Sequence, residues 1–370
     1  MESNKRMYID IHVIQTIPPS CMNRDDTGSP KTCTYGGTNR SRVSSQSWKR
    51  AVREYFKGTV DEGELGTRTK RIVELVANEI VRQDPSIPEA KAQEMSADVL
   101  SVAGIQIAKE KKKGKGKGDD DDQIPEAKAL FFMSRKQTEN VAALAIAGDY
   151  DKKKAQAALN AGNGIDIALF GRMVADDPSM NADASAQVAH AISTHSVVNE
   201  YDYYTAVDEM SPADNAGAGM IGTVEFNSST MYRYATVAVH DLKRQLSDDA
   251  TVTAMAVREF IRAFILSMPT GKMNTFANRT VPEYVLIEMR DDQPVNCAAA
   301  FESPVQPGRD RGGYSENSVR ALESYVSSIR SFVPPAIGEW RISGGVDSDA
   351  DTVSLQTALD QIVSAISEEQ

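Results

Sequence analysis

The hydrophobic period of this chain changes twice, and that limits the folds open to it. Residues 7–14, MYIDIHVI, alternate in part and are rich in β-formers, which predicts a first strand. Residues 67–161 then carry apolar side chains almost wholly at helical spacing, with Ile72, Leu75, Val76, Ile80 and Val81 as the clearest set. A β-like pattern returns only at IDIALFGR, residues 165–172, which reads as a strand. A helical stretch bracketed by strands implies an insertion into a β-containing domain.

The flanking segments fill in that domain. Pro18, Pro19, Gly28, Pro30, Gly36 and Gly37 predict a long loop over 17–37, and a helix is expected over 45–56. The insertion reads as helices at 69–81, 90–109 and 126–147. Between the last two lies KEKKKGKGKGDDDD, whose glycines and charge blocks bar a packed core; residues 109–122 are expected to be a mobile surface loop. Extended segments are expected at 186–198, 205–207, 224–226, 231–239 and 281–289, and helices at 252–268, 318–332 and 352–366. With the insertion removed, the order is βαββαβ, that of a ferredoxin-like or RRM-like core. Such sheets are a common RNA-binding platform, though fold alone does not assign function.

Charge then points to a partner. The chain carries a formal net charge of -11. Residues 23–57 depart from this: Arg24, Lys31, Arg40, Arg42, Lys49, Arg50, Arg53 and Lys57 outnumber Asp25, Asp26 and Glu54, a local +5. A basic island in an acidic protein suits an anionic polymer bound on one surface. Arg40 and Arg42 stand two apart, so an extended backbone would aim both the same way. Ser44, Ser45, Gln46 and Ser47 read as a helix start, whose unpaired amides bind phosphate. Lys49 and Arg53 follow at i, i+4 on one helix face.

Other features are bounded more simply. At 370 residues and 41% hydrophobic, the chain can bury a sizeable core in roughly two domains. No apolar run approaches the roughly 20 residues of a membrane span, and no secretion signal is visible. Cys21, Cys33 and Cys297 form no ligand pattern and fit reduced thiols, so a cytoplasmic location is expected with no metal or cofactor. Asp347, Ser348, Asp349, Ala350 and Asp351 imitate a calcium loop, but Thr352 and Ala358 stand where Gly and Glu are needed. Residues 339–370 hold seven acids against Arg341. His12, His190, His195 and His240 sit in no catalytic spacing, and no nuclease or hydrolase signature occurs. Tyr201, Tyr203, Tyr204 and Thr205 have two readings: a protruding hairpin that stacks on bases, or ordinary strand packing. Gly271, Lys272, Met273 and Asn274 likewise read as a lysine loop near phosphate or as a glycine helix stop.

Several blocks together resemble the CasC family, the backbone subunits of the type I-E CRISPR surveillance complex, Cascade. They are NRDDTGSPKTCTYGGTNRSRVSSQSWKRAVR from Asn23, GIDIALFGRM at 164–173, AQVAHAISTH at 186–195, DYYTAVDE at 202–209, GTVEFNSSTMYRYA at 222–235 and PTGKMNTFANRTVP at 269–282. They run in order along the chain, whereas residues 60–160 and the tail match loosely. Trp48 stands where the usual motif carries leucine, and a packing change is expected there.

The resemblance implies an α+β subunit shaped like a right hand. Residues 1–60 and 162–370 would form an RRM-like (ferredoxin-like) palm with a web. Residues 61–161 would be a helical fingers insertion, and a thumb β-hairpin would protrude from 174–222. Copies would stack along a CRISPR RNA and present it to target DNA, beside the large, small, guide 5′-end and guide 3′-end subunits and a recruited effector nuclease. Arg24, Lys31, Arg40, Arg42, Ser44, Gln46, Lys49, Arg50 and Arg53 would hold guide phosphates. Met173 would wedge at a kink, and Tyr203, Tyr204 and Thr205 would belong to the thumb. Lys272 and Asn274 would be further RNA neighbours. The implied role is non-catalytic. The alternatives are a CRISPR RNA-processing endoribonuclease of RRM-like fold and a generic single-strand binder.

Overall fold

The computed structural model describes residues 6–108, 124–174, 177–207, 210, 218–308, 313–345 and 351–368; the expected loop at 109–122 and the calcium-like run at 347–350 lie outside them. Its strands are β1 (Tyr8–Ser20), β2 (Thr32–Tyr35), β3 (Thr38–Val43), β4 (Gly66–Thr69), β5 (Phe131–Ser134), β6 (Ala186–Val188), β7 (Ala191–Ser193), β8 (Glu200–Val207), β9 (Ala218–Ala238), β10 (Tyr284–Arg290) and β11 (Gly338–Ser343). Its helices are α1 (Ser45–Phe56), α2 (Ile72–Gln83), α3 (Glu89–Ala103), α4 (Arg135–Ile146), α5 (Lys152–Asn160), α6 (Ile165–Phe170), α7 (Val239–Gln245), α8 (Ala250–Leu266), α9 (Met273–Phe276), α10 (Ser315–Ser328) and α11 (Leu355–Glu368). The class is α+β. The chain divides into two compact units, one of residues 1–55, 187–240 and 257–370, the other of 56–186 and 241–256.

The first unit is built on an antiparallel sheet ordered β11-β10-β1-β9-β7-β3-β2, with β6 and β8 also paired to β9. Strand β1 lies between β10, in register from Tyr8↔Arg290 to Ile14↔Tyr284, and β9, in register from Tyr8↔Ala238 to Ile17↔Ser229. Both faces of this centre are covered. Ile14, Tyr232, Tyr234, Tyr284 and Leu286 pack under Phe301, Val319, Leu322 and Val326, so α10 and the short turn at Cys297–Phe301 close one face. Arg233, next to Tyr232 and Tyr234, points the other way by strand alternation. Its guanidinium lies between Trp48 of α1, 3.8 Å from the ring centre, and Phe264 of α8, at 4.7 Å. It also donates to Gln15 and to the Phe264 carbonyl. Burial without a carboxylate partner lowers the Arg233 pKa to about 9.

The second unit packs α2–α5 around a core that includes Val76, Ile80, Leu100, Val141 and Leu159. A β4–β5 ribbon, in register from Gly66↔Ser134 to Thr69↔Phe131, interrupts the expected run of helices. Ser134 ends β5 and caps α4 in a reciprocal capping box with Gln137, which is why that helix starts at Arg135 and not near 126. Helix α3 stops early, at Gly104 in the left-handed region.

Three further expectations are corrected. Residues 165–170 form helix α6, not a strand; five consecutive side chains are buried, and a short run buried on every side has no period to read. The loop expected over 17–37 contains the end of β1 and all of β2, because prolines at an edge do not stop a strand. The two strands expected at 224–226 and 231–239 are one strand of 21 residues, β9. The acidic tail opens with strand β11, paired to β10.

Candidate nucleic-acid interface

The basic island folds into a turn, a two-stranded edge and a helix. Asp25 organises the turn: its Oδ1 accepts from the Thr27 amide at 2.9 Å, the Thr27 hydroxyl at 2.7 Å and the Ser29 amide at 3.0 Å. Gly28 sits at φ +92, where a side chain would be strained. Asn23 ties the turn to its neighbours, its carbonyl accepting from Lys31 N–H and its Oδ1 from Ser44 N–H. Edge strand β2 pairs with β3 from Thr32↔Ser41 to Tyr35↔Thr38.

The two arginines of β3 do not share a role. Arg40 is 0% exposed. Its Nε donates to the Tyr35 carbonyl and the Thr38 hydroxyl, and its terminal nitrogens to the carbonyls of Ser193, Phe301 and Glu302. Burial lowers its pKa, and Tyr35, Cys33 and Glu302 oppose that only in part. Arg40 is therefore a clamp joining β3, β7 and the turn after Phe301, and the expectation that it holds a phosphate is corrected. Arg42 is half-exposed, its Nε on the Thr32 carbonyl and a terminal nitrogen 3.1 Å from His190 Nδ1. Burial, then Arg42, then Lys31 lower the His190 pKa.

Arg42 and Lys31 line a shallow surface groove whose enclosed volume is only about 10 Å³. Ser20, Asn23, Ser41, Asn227 and Ser229 supply its other polar groups, over Ile17, Met22, Pro30, Val43 and Met231. Cationic donors around so shallow a depression can meet an anionic group of a strand lying across the surface, but do not enclose one. Arg24, Gln46 and Arg50 are exposed, Lys49 and Arg53 are half-buried, and Ser44 is buried. Burial lowers the Lys49 pKa.

The lysine loop joins this edge. A side chain at Gly271 would lie 2.1 Å from the Met22 carbonyl, so only glycine permits the approach. Lys272 follows in the left-handed region, while Asn274 is exposed on α9. Burial raises the Cys21 thiol pKa; Lys272 and Arg24 oppose that, which places both cations around one buried sulfur. Phe276 of α9 packs on Phe226 of β9, ring centres 5.9 Å apart.

Strand β9 then runs on beyond the main sheet and pairs with β8 from Glu200↔Phe226 to Val207↔Ala218. The tyrosines of β8 differ. Tyr201 and Tyr203 alternate onto one side at 69% and 64% exposed. Tyr204, on the other side, is 42% exposed, and its ring lies across Gly222, where an added Cβ would be 2.3 Å from Cζ. Thr205 is exposed. Tyr201 stood in the aromatic cluster of the sequence but not among the thumb residues implied by the resemblance, which were Tyr203, Tyr204 and Thr205; its i, i+2 spacing to Tyr203 puts both on one side. Ser41 and Asn227 line the groove and were also missed, because nothing in their local sequence shows that distant strands bring them there.

Met173 belongs to the second unit. Arg172 before it is buried and donates to the carbonyls of Met180, Phe132 and Leu159 and to Gln137 and Asn160. Its backbone pairs with Ala182, and Gly171 at φ +77 leaves no room for a side chain there. With both predecessors pinned, Met173 projects at 84% exposure. On the central strands of the sheet, Tyr232 and Tyr234 are buried beneath α10.

The histidines are placed separately. His12 is buried, 2.9 Å from the Tyr232 hydroxyl and 3.3 Å from Glu288. Burial would lower its pKa, yet Cys297 and Glu288 raise it to about 10. His195 stacks on Tyr314 at 3.6 Å and accepts from Thr230 N–H, and His240 contacts the Met7 backbone. Among the described residues no cluster of His, Cys, Asp or Glu could hold a metal ion, and no helix is long and apolar enough to cross a membrane.

A family model described as CT1975-like protein matches residues 9–365. A chain of a solved CRISPR RNA-guided surveillance complex, pre-nicking, is similar at 32% identity and a TM-score of 0.79, covering 97% of this chain and 100% of that one. A chain of another CRISPR RNA-guided surveillance complex is 28% identical with a TM-score of 0.62, covering 97% and 99%. No curated protein matches.

Proposed function

The chain belongs to the CT1975-like protein family, and from that premise we propose that it is a non-catalytic backbone subunit of a type I-E CRISPR RNA-guided surveillance complex. Copies assemble along the guide RNA in the cytoplasm and hold it for pairing with target DNA, together with the other complex subunits and a recruited nuclease. The observation that carries this reading is the junction of a cationic groove, at Lys31 and Arg42, with a hairpin presenting exposed tyrosines. A cationic track with ring platforms suits a single strand held by its backbone. Base pairing then carries the sequence information, so the protein needs to read only backbone and shape.

The first unit serves as an RRM-like palm in this reading. The order β10-β1-β9-β7, antiparallel throughout, with α1 and α8 in the crossovers, supports it. The second unit serves as fingers and β8–β9 as the thumb. Arg24, Lys31, Arg42, Lys49, Arg50 and Lys272 contact phosphate, and Met173 and Tyr203 contact bases. The engagement of His12 and His195 inside the fold favours binding over RNA cleavage.

Replacing Lys31, Arg42 and Arg50 with Ala tests the assignment. The triple variant should fold normally, co-purify with much less guide RNA and show a shallower salt dependence, by roughly 2 in the slope of log K against log salt. Guide RNA recovered at wild-type yield with an unchanged slope would refute the phosphate track. Incubation with a repeat-containing transcript separates the nuclease alternative, which requires specific cleavage lost in a His190 or His195 variant.

A further inference from the structure

A chain of side-chain hydrogen bonds runs from the root of the hairpin into the groove. Asn199 Nδ2 donates to Glu225 Oε1 at 2.6 Å. Asn227 Nδ2 donates to Asn199 Oδ1 at 2.9 Å. Ser41 Oγ donates to Asn227 Oδ1 at 3.0 Å. Asn227 is 5% exposed and stands where β9 changes partner: Phe226 pairs with Glu200 of β8, and Asn227 with Ser20 of β1. The chain therefore ties β3, β9 and the start of β8 through one buried amide.

Its direction is set by chemistry. An ionised carboxylate only accepts, so Asn199 must turn its NH₂ to Glu225 and its oxygen to Asn227. Asn227 must then donate to that oxygen and turn its own oxygen to Ser41. Ser41 has one hydroxyl proton, and it is committed to Asn227. The serine oxygen is left with lone pairs only. Ser41 lines the groove together with Lys31 and Arg42, which offer only donors.

We infer that Ser41 is the acceptor through which this groove takes a ribose 2′-hydroxyl, its polarity set by Glu225 through Asn199 and Asn227. The cations hold the phosphate and Ser41 reads the sugar. Single-stranded DNA offers the same phosphates but no donor at the 2′ position, so the groove selects RNA. The inference rests on the proposed RNA-binding role and names the specificity residue within it. Glu225 and Asn199 act through Ser41 and are positioning residues.

The test compares a labelled single-stranded RNA with DNA of the same base sequence, each bound to the full-length protein. Wild type should prefer RNA. Ser41→Ala should lose roughly three- to ten-fold in RNA affinity, the worth of one hydrogen bond, with DNA affinity unchanged. Glu225→Gln removes the directional constraint and should lower the RNA preference by less, while Glu225→Asp, which keeps an acceptor, should restore part of it. Ser41→Ala binding both polymers with the wild-type ratio overturns the inference, as does an equal loss for both. Wild type that binds neither polymer would sink the RNA-binding role itself, a result distinguishable from either.

Discussion

The edge formed by β2 and β3 and the hairpin formed by β8 and β9 invert the usual expectation about charge and surface. At the edge, a guanidinium that composition marks as surface charge, Arg40, is fully buried and bound to backbone carbonyls. On the hairpin, Tyr201 and Tyr203, which composition marks as core, stand in solvent. The difference follows from neighbours. Strand β3 has β7 and the turn after Phe301 beside it, so inward donors find carbonyls. Among the described residues, strand β8 pairs with the outer half of β9 alone, and Tyr201 and Tyr203 stay exposed on one of its sides. A large apolar group left outside without a packing partner is a stronger mark of binding than a positive charge.

The contrast can be broken by mutation. The largest effect belongs to Arg40→Ala, which strips five acceptors of their donor in the interior and should cost about 3 kcal/mol or more in denaturant unfolding. Arg42→Ala, two residues on, should change stability by less than about 0.5 kcal/mol. Equal costs would erase the distinction between clamp and groove residue. Next, Tyr201→Ala with Tyr203→Ala should leave unfolding unchanged and weaken guide RNA binding by about 1–3 kcal/mol per stacked base. A fall in stability with intact binding would return both rings to a packing role. The smallest effect is electrostatic. Arg42 and Lys31 help to hold the His190 pKa below its usual value. A phosphate in the groove neutralises those cations, so His190 should titrate at higher pH with RNA bound, seen by NMR. By linkage, binding then strengthens as pH falls through that range. An unmoved titration would place the phosphate elsewhere.

Much of the architecture was readable from local pattern. The first strand, helix α1 and helix α8 carry clear periods, and α1 begins at Ser45 as its serine-rich start suggested. Helix α6 was misread because every side of it is buried. The β4–β5 ribbon was hidden because strands of four residues carry little period of their own. Within the site, Lys31 and Arg42 were legible as charge, whereas Ser41 and Asn227 were not. They are 186 positions apart and meet only because β9 leaves the main sheet at Asn227.

By itself, the sequence determined the class, the helical interruption of a β framework and the existence of a basic segment, because period and charge are local properties that a single chain displays. Tertiary structure alone decided which charges remain outside. Arg40 and Arg42 are equivalent in the one dimension of the chain and separate once β7 closes over one and the groove opens beside the other. The physical reason is that burial, hydrogen-bond direction and proton affinity depend on what strands distant in sequence place within a few ångströms, and no local pattern contains that information.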